Sequence, residues 1–127
     1  MNRIIKHRRG FSLVEVLIGL IFIAIGILAI AGLQISSVRG NYFSSNLTQA
    51  TYVAQDRLEF LKNLSFTDDL LKAKDHYDDG TVTLLGVIFN RSYVVIDDAA
   101  GYKTINYIVT WNDGSDHRIS FSTIRSQ

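Results

Sequence analysis

The chain has 127 residues, no cysteine, no proline and a formal net charge of +1. That length leaves room for one modest domain, which without disulfides must be held by packing and sheet hydrogen bonds. The charge excludes a simple basic nucleic-acid binder: four of the thirteen Lys and Arg residues precede Gly10, and beyond it nine basic residues face twelve acidic ones.

A short basic leader carries Arg3, Lys6, His7, Arg8 and Arg9 and ends in Gly10. Phe11-Ser12-Leu13-Val14-Glu15 follows, and then residues 16–33 form a run without a charge or a strongly polar group. Eighteen helical residues rise roughly 27 Å, enough to cross most of a bilayer's hydrocarbon. The basic residues lie before the run and only Arg39 follows closely after it. The positive-inside bias therefore puts the leader in the cytoplasm and the C-terminal part outside. Glu15 stands alone at the head of this segment. An ionised side chain at membrane depth costs about 2.5–3.5 kcal/mol on insertion scales, which makes it a functional candidate.

The helical pattern continues past the apolar run. Phe43, Leu47, Ala50, Ala54, Leu58, Leu61 and Leu64 recur every three or four residues, the spacing of one helix face. Ser45, Gln49, Asp56, Glu59 and Lys62 fall between them. One helix is expected from about Phe11 to Asn63, amphipathic in its second half and weakest near Gly40-Asn41, because Gly costs about 1 kcal/mol against Ala inside a helix.

Residues 66–80 are polar and acidic and end in Asp79-Gly80, a turn signal, so a solvated loop is expected there. Strands are expected at Val87–Ile96, Lys103–Trp111 and His117–Ile124, with a short one at Thr81–Leu85. Alternation puts Ile105, Tyr107, Val109 and Trp111 on one face, and Ile119 and Phe121 inward, with Arg118, Ser120 and Ser122 outward. Asn112-Asp113-Gly114 is a strong hairpin signal, and Asp98-Ala99-Ala100-Gly101 a looser turn. The fold class is α+β: a long N-terminal helix packed on a small antiparallel sheet. Its expected segments are residues 1–10 as leader, 11–35 as membrane stem, 36–64 as amphipathic continuation and 65–127 as sheet domain.

Gly10-Phe11-Ser12-Leu13-Val14-Glu15 and the apolar run behind it resemble the N-terminus of the type IV pilin-like, or prepilin, family. They are most similar to the PilV-type minor pilins, also called type IV pilus modification proteins. The motif covers about the first 35 residues. Weaker likeness extends to residues 50–61, to Phe89-Asn90-Arg91-Ser92-Tyr93 and to Tyr107-Ile108-Val109-Thr110-Trp111. The resemblance implies a pilin-like fold, cleavage between Gly10 and Phe11 by a membrane prepilin peptidase, and N-methylation of the Phe11 amine by the same enzyme. It implies that Glu15 pairs with the N-terminal amine of a neighbouring subunit during filament assembly. Its implied partners are other major and minor pilins through the stem, the inner-membrane pilus assembly platform and the lipid bilayer. Its implied location is the bacterial inner membrane, with the C-terminal domain periplasmic, and then the pilus. Many major pilins carry a stem proline and a disulfide-bounded loop; this chain has neither, which favours a minor pilin.

Two other readings compete. A minor pseudopilin of a type II secretion system shares the same N-terminal chemistry. A secreted binding domain, cut by signal peptidase after Ala31, would use Ala29-Ile30-Ala31 as its cleavage site, but it leaves Glu15 without a use. No metal or cofactor is expected. Asp75–Gly80 fails the calcium-loop pattern, since Tyr77 occupies a ligand position, and His76 and His117 have no spaced partner. No nucleophile–base pair or phosphate-binding glycine loop stands out, so no enzyme is expected.

Overall fold

Fifty-one residues, Leu13–Asn63, form one α-helix, α1. This is a computed structural model, and it describes residues 10–98 and 100–127. The leader residues Arg3, Lys6, Arg8 and Arg9 lie outside the described residues. Helix α1 begins two residues later than expected because Ser12 caps it: the Val16 N–H donates to the Ser12 carbonyl at 3.1 Å. It runs unbroken through Gly40, where one glycine's cost is small beside a ladder of helical hydrogen bonds. The chain nevertheless divides into two units between Gly40 and Asn41.

In the first unit the helix has no core to join. Its large apolar side chains, from Leu13 to Val38, are all about half exposed or more. This is the one helix among the described residues that is long and apolar enough to cross a membrane.

The second unit, Asn41–Gln127, sets the rest of α1 against four antiparallel strands in sequential order: β1 Lys74–Leu84, β2 Val87–Asp98, β3 Tyr102–Asn112 and β4 Asp116–Ser126. The helix stripe and the inward sheet face make one core. Ala50, Ala54 and Leu61 are fully buried against Phe89, Ile105, Tyr107 and Val109. The small alanines let the helix lie close to the sheet. The expected alternation holds on β3, where Ile105, Tyr107, Val109 and Trp111 all point inward. On β4, Ile119 and Phe121 are only half-buried, because that strand forms a sheet edge.

Residues 66–80 correct the expectation of a solvated loop. A short 3-10 turn occupies Asp69–Leu71, and β1 begins at Lys74, seven residues before the expected strand. Asp79-Gly80 is not a chain-reversing turn. Tyr77 pairs with Tyr93, Asp78 with Ser92 and Thr81 with Asn90, so Asp79 and Gly80 together oppose Arg91 in a β-bulge. Gly80 takes a φ of 74° there, which favours glycine. The local composition looks like a loop, yet pairing with β2 supplies the hydrogen-bond ladder that the sequence could not display.

The β1–β2 reversal is a two-residue hairpin, Leu84 opposite Val87. Both central residues have positive φ, Leu85 at 47° and Gly86 at 83°. That geometry favours Asn-Gly, and leucine pays for it with Cβ strain. Leu85→Asn is therefore expected to stabilise the fold by about 0.5–1 kcal/mol, read as a higher midpoint in denaturant unfolding; a lower midpoint would contradict this turn assignment.

Candidate functional site

The head of α1 holds every site residue taken from the N-terminal motif that lies among the described residues. Gly10, Phe11 and Ser12 have neither helical nor strand structure, and the helix starts just beyond them. Phe11 is 85% exposed. Nothing lies within 4 Å of the position a Gly10 Cβ would take.

Glu15 falls in the first turn of α1 and is exposed. Among the described residues no cation pairs with its carboxylate. Ser12 and Glu15 have the Ser-x-x-Glu spacing of a helix-capping box, a signal that the sequence reading passed over. A first-turn acid also gains from the helix dipole, typically 0.3–1 kcal/mol. That gain is smaller than the cost of holding a carboxylate in lipid. Capping alone therefore does not account for an acid at this position.

The sheet domain is tied together by three polar anchors, two of which gave no sign in the sequence. At the first, Asp79 turns inward from the β1 bulge. Arg57 of α1 donates to it through Nε at 2.8 Å and also through Nη2, and the Tyr107 hydroxyl donates at 2.6 Å. Arg91 donates to the Asp79 carbonyl at 2.7 Å. Burial alone would raise the Asp79 carboxyl, but the hydrogen bonds from Arg57 and Tyr107 and the nearby guanidinium charges outweigh it and hold it below the usual range. The carboxylate is thus a core cross-link between helix and sheet.

At the second anchor, Asp113 of the β3–β4 turn accepts from Asn46 at 2.8 Å and from the Trp111 indole at 3.3 Å, and lies 2.8 Å from His117 Nε2. Asn46, the fully buried polar residue of the helix stripe, holds the Asp113 carboxyl down first, followed by His117 and Trp111 against the opposing effect of burial. His117 lies on the edge strand β4, and its ring packs against Phe43 and Trp111, at 5.0 and 5.1 Å between centroids. At the third, the buried Lys103 ammonium donates to the carbonyls of Phe66 and Leu71, both at 2.8 Å. It sits 4.6 Å from the centroid of the Phe66 ring. The strand parity that puts Ile105 inward also puts Lys103 inward, so this one was legible.

No catalytic constellation converges in these anchors, and among the described residues no cluster of three or more His, Cys, Asp or Glu could hold a metal. His76 is exposed on β1. No family model matches the chain, and no curated protein or solved structure is significantly similar to it.

The Asp79 anchor has a pH signature. A carboxyl held below its unfolded value of about 3.9 stabilises the fold above that pH and loses the contribution as pH falls through the folded value. Asp79→Asn removes one partner of a largely buried pair and is expected to cost about 2–4 kcal/mol at pH 7. The penalty should shrink below pH 4, measured by chemical unfolding at both pH values. An equal penalty at pH 7 and pH 3 would show that Asp79 is not ionised in the fold.

Proposed function

We propose that this chain is a minor pilin: a single-span inner-membrane precursor, cleaved after Gly10 and assembled through its stem into a type IV pilus. The observation that carries the reading is an apolar stem that the described residues leave exposed, headed by the Glu15 carboxylate, which no cation among them pairs, and by an exposed Phe11. The pilin-like layout, a long N-terminal helix and a four-stranded antiparallel sheet, supports it. The continuity of α1 through Ala31 disfavours the signal-peptidase reading, since that cut would fall inside a formed helix.

The mechanism follows from electrostatics in a medium of low dielectric. Cleavage exposes a cationic amine at Phe11, four residues before Glu15. Within one stem both groups are desolvated on entering a filament. Docking the amine of one subunit beside the Glu15 of its neighbour offsets the cost that each would bear alone. Such a pair fixes the axial step, because a subunit displaced along the bundle leaves two uncompensated charges. Prepilin peptidase, which also methylates the new amine, acts first; other pilins and the assembly platform then receive the stem.

Two substitutions test this. Glu15→Gln keeps the capping-box spacing from Ser12 but not the charge. It should leave leader removal intact and reduce the protein in sheared filaments at least tenfold; equal amounts of mutant and wild type would refute the pairing role. Gly10→Val should block leader removal, seen as an unprocessed mass in membranes, and a normal mature mass would refute the cleavage site.

A further inference from the structure

The chain contains two Asp-Gly pairs, Asp79-Gly80 in the β1 bulge and Asp113-Gly114 in the β3–β4 turn. Such a pair is open to intramolecular rearrangement, because glycine has no side chain to shield its amide nitrogen. That nitrogen, after losing its proton, attacks Cγ of the aspartic acid; a C–N bond forms and a carboxyl oxygen leaves as water. The five-membered imide then takes up one water at either carbonyl. Opening at one restores aspartate. Opening at the other gives isoaspartate, whose main chain runs through Cβ and Cγ. The mass returns to its starting value, and the only reactant besides the chain is water.

The reaction needs a protonated carboxyl, a free glycine N–H and a side chain able to swing onto that nitrogen. The fold opposes each need at both sites. The Asp79 carboxylate is fixed on Arg57 and Tyr107, and that of Asp113 on Asn46, Trp111 and His117. Both carboxyls sit below their usual range and are ionised at neutral pH. The Gly80 N–H donates to Asp78 Oδ1 at 2.9 Å and the Gly114 N–H to Asn112 Oδ1 at 3.0 Å, so each nitrogen is engaged by the residue before its aspartate.

The two sites differ in how much must move to free them. Asp79 and Gly80 lie between paired residues, Asp78 with Ser92 and Thr81 with Asn90. Asp113 and Gly114 lie past the last pair of their ladder, Asn112 with Asp116. Within that turn the Asp113 N–H donates to the Ser115 carbonyl at 3.3 Å, and nothing lies within 4 Å of the position a Gly114 Cβ would take. The turn can rotate without breaking a strand pair once the carboxylate is released. Trp111 and His117 belong to the same hairpin and move with it. Asn46 is on α1, fully buried and 67 residues away in sequence, so its bond is the one that holds the turn to a separate element.

We propose that Asp113-Gly114 is a modification site latched by Asn46: isoaspartate forms at Asp113 when the bond to Asn46 is open and is suppressed while it is closed. The product keeps the latch open. Isoaspartate lengthens the turn by one methylene and displaces the carboxylate, so Asn46 loses its partner and the hairpin its tie to α1.

Ageing of the purified full-length chain in detergent micelles at neutral pH tests this, and the outcome does not depend on the pilin reading. Tryptic digestion yields residues 104–118 and 75–91, which carry the two sites. Isoaspartate changes a peptide's retention and not its mass, and fragment ions place it. Synthetic peptides of the same two sequences set the unstructured rates, and the folded chain should isomerise about tenfold more slowly than they do at both sites. Asn46→Leu, similar in volume but unable to donate, should raise the Asp113 rate about tenfold, the change in open population that loss of one hydrogen bond to a carboxylate brings. The Asp79 rate should not change. Asn46→Ser, which adds no bulk to the core, should act in the same direction. An unchanged Asp113 rate in both variants would overturn the proposal, as would equal acceleration at Asp79 in both, which would trace the effect to global unfolding. Equal rates in the folded chain and the free peptides would overturn it too.

Discussion

Between Val14 and Val38 the large apolar side chains of α1 stay about half exposed or more among the described residues, and that constraint governs how the rest of the molecule is read. Each such side chain gains roughly 1.5–3 kcal/mol when fully removed from water, so a segment of this length cannot stay in water. Lipid or neighbouring helices, as the proposed function supplies them, would remove that exposure. The second half of the same helix resolves the identical problem internally, by burying Ala50, Ala54, Leu58 and Leu61 against the sheet. One continuous element therefore serves as an external packing surface and as half of a core, with the change falling at Gly40.

Within the sheet domain, polar anchors do what a larger core or disulfides would do elsewhere. Asp79 ties the β1 bulge to Arg57 on α1, Asp113 ties the β3–β4 turn to Asn46, and Lys103 ties β3 to the segment following the helix. Each joins parts distant in sequence. Tyr77 and Tyr93 add to the third, with hydroxyls within hydrogen-bond distance of the Lys72 and Leu70 carbonyls. The segment between helix and β1 is thus fastened from one side by lysine and from the other by two tyrosines. Small domains are marginal on apolar burial alone, and these ties add to it.

What was legible in the sequence was whatever a local pattern carries. The helix stripe, the three later strands and the Asp113-Gly114 hairpin all rest on short periodicities or on residues with special backbone freedom. β1 was not legible before Thr81, because its acidic first half is made a strand by β2, and its Asp79 is neutralised by an arginine 22 residues away. Leu85 ran against propensity altogether, since nothing local nominates leucine for a positive-φ turn. Asn46 fell outside the expected apolar stripe and gave no sign that it is buried or that its amide meets Asp113. At the head of the stem, Gly10, Phe11 and Glu15 stood out through a motif and not through any contact, and there the structure adds an exposed Phe11 and a helix whose first backbone bond is accepted by Ser12. The leader itself lies outside the described residues.

The central claim is that the chain is matured at the Gly10–Phe11 bond so that a new amine can meet a neighbour's Glu15. The most direct measurement is the N-terminal sequence and intact mass of the native protein recovered from its own cells. The account predicts a polypeptide beginning at Phe11 and heavier than the unmodified product by one methyl group. A protein beginning at Met1 or at Gly32 would contradict it.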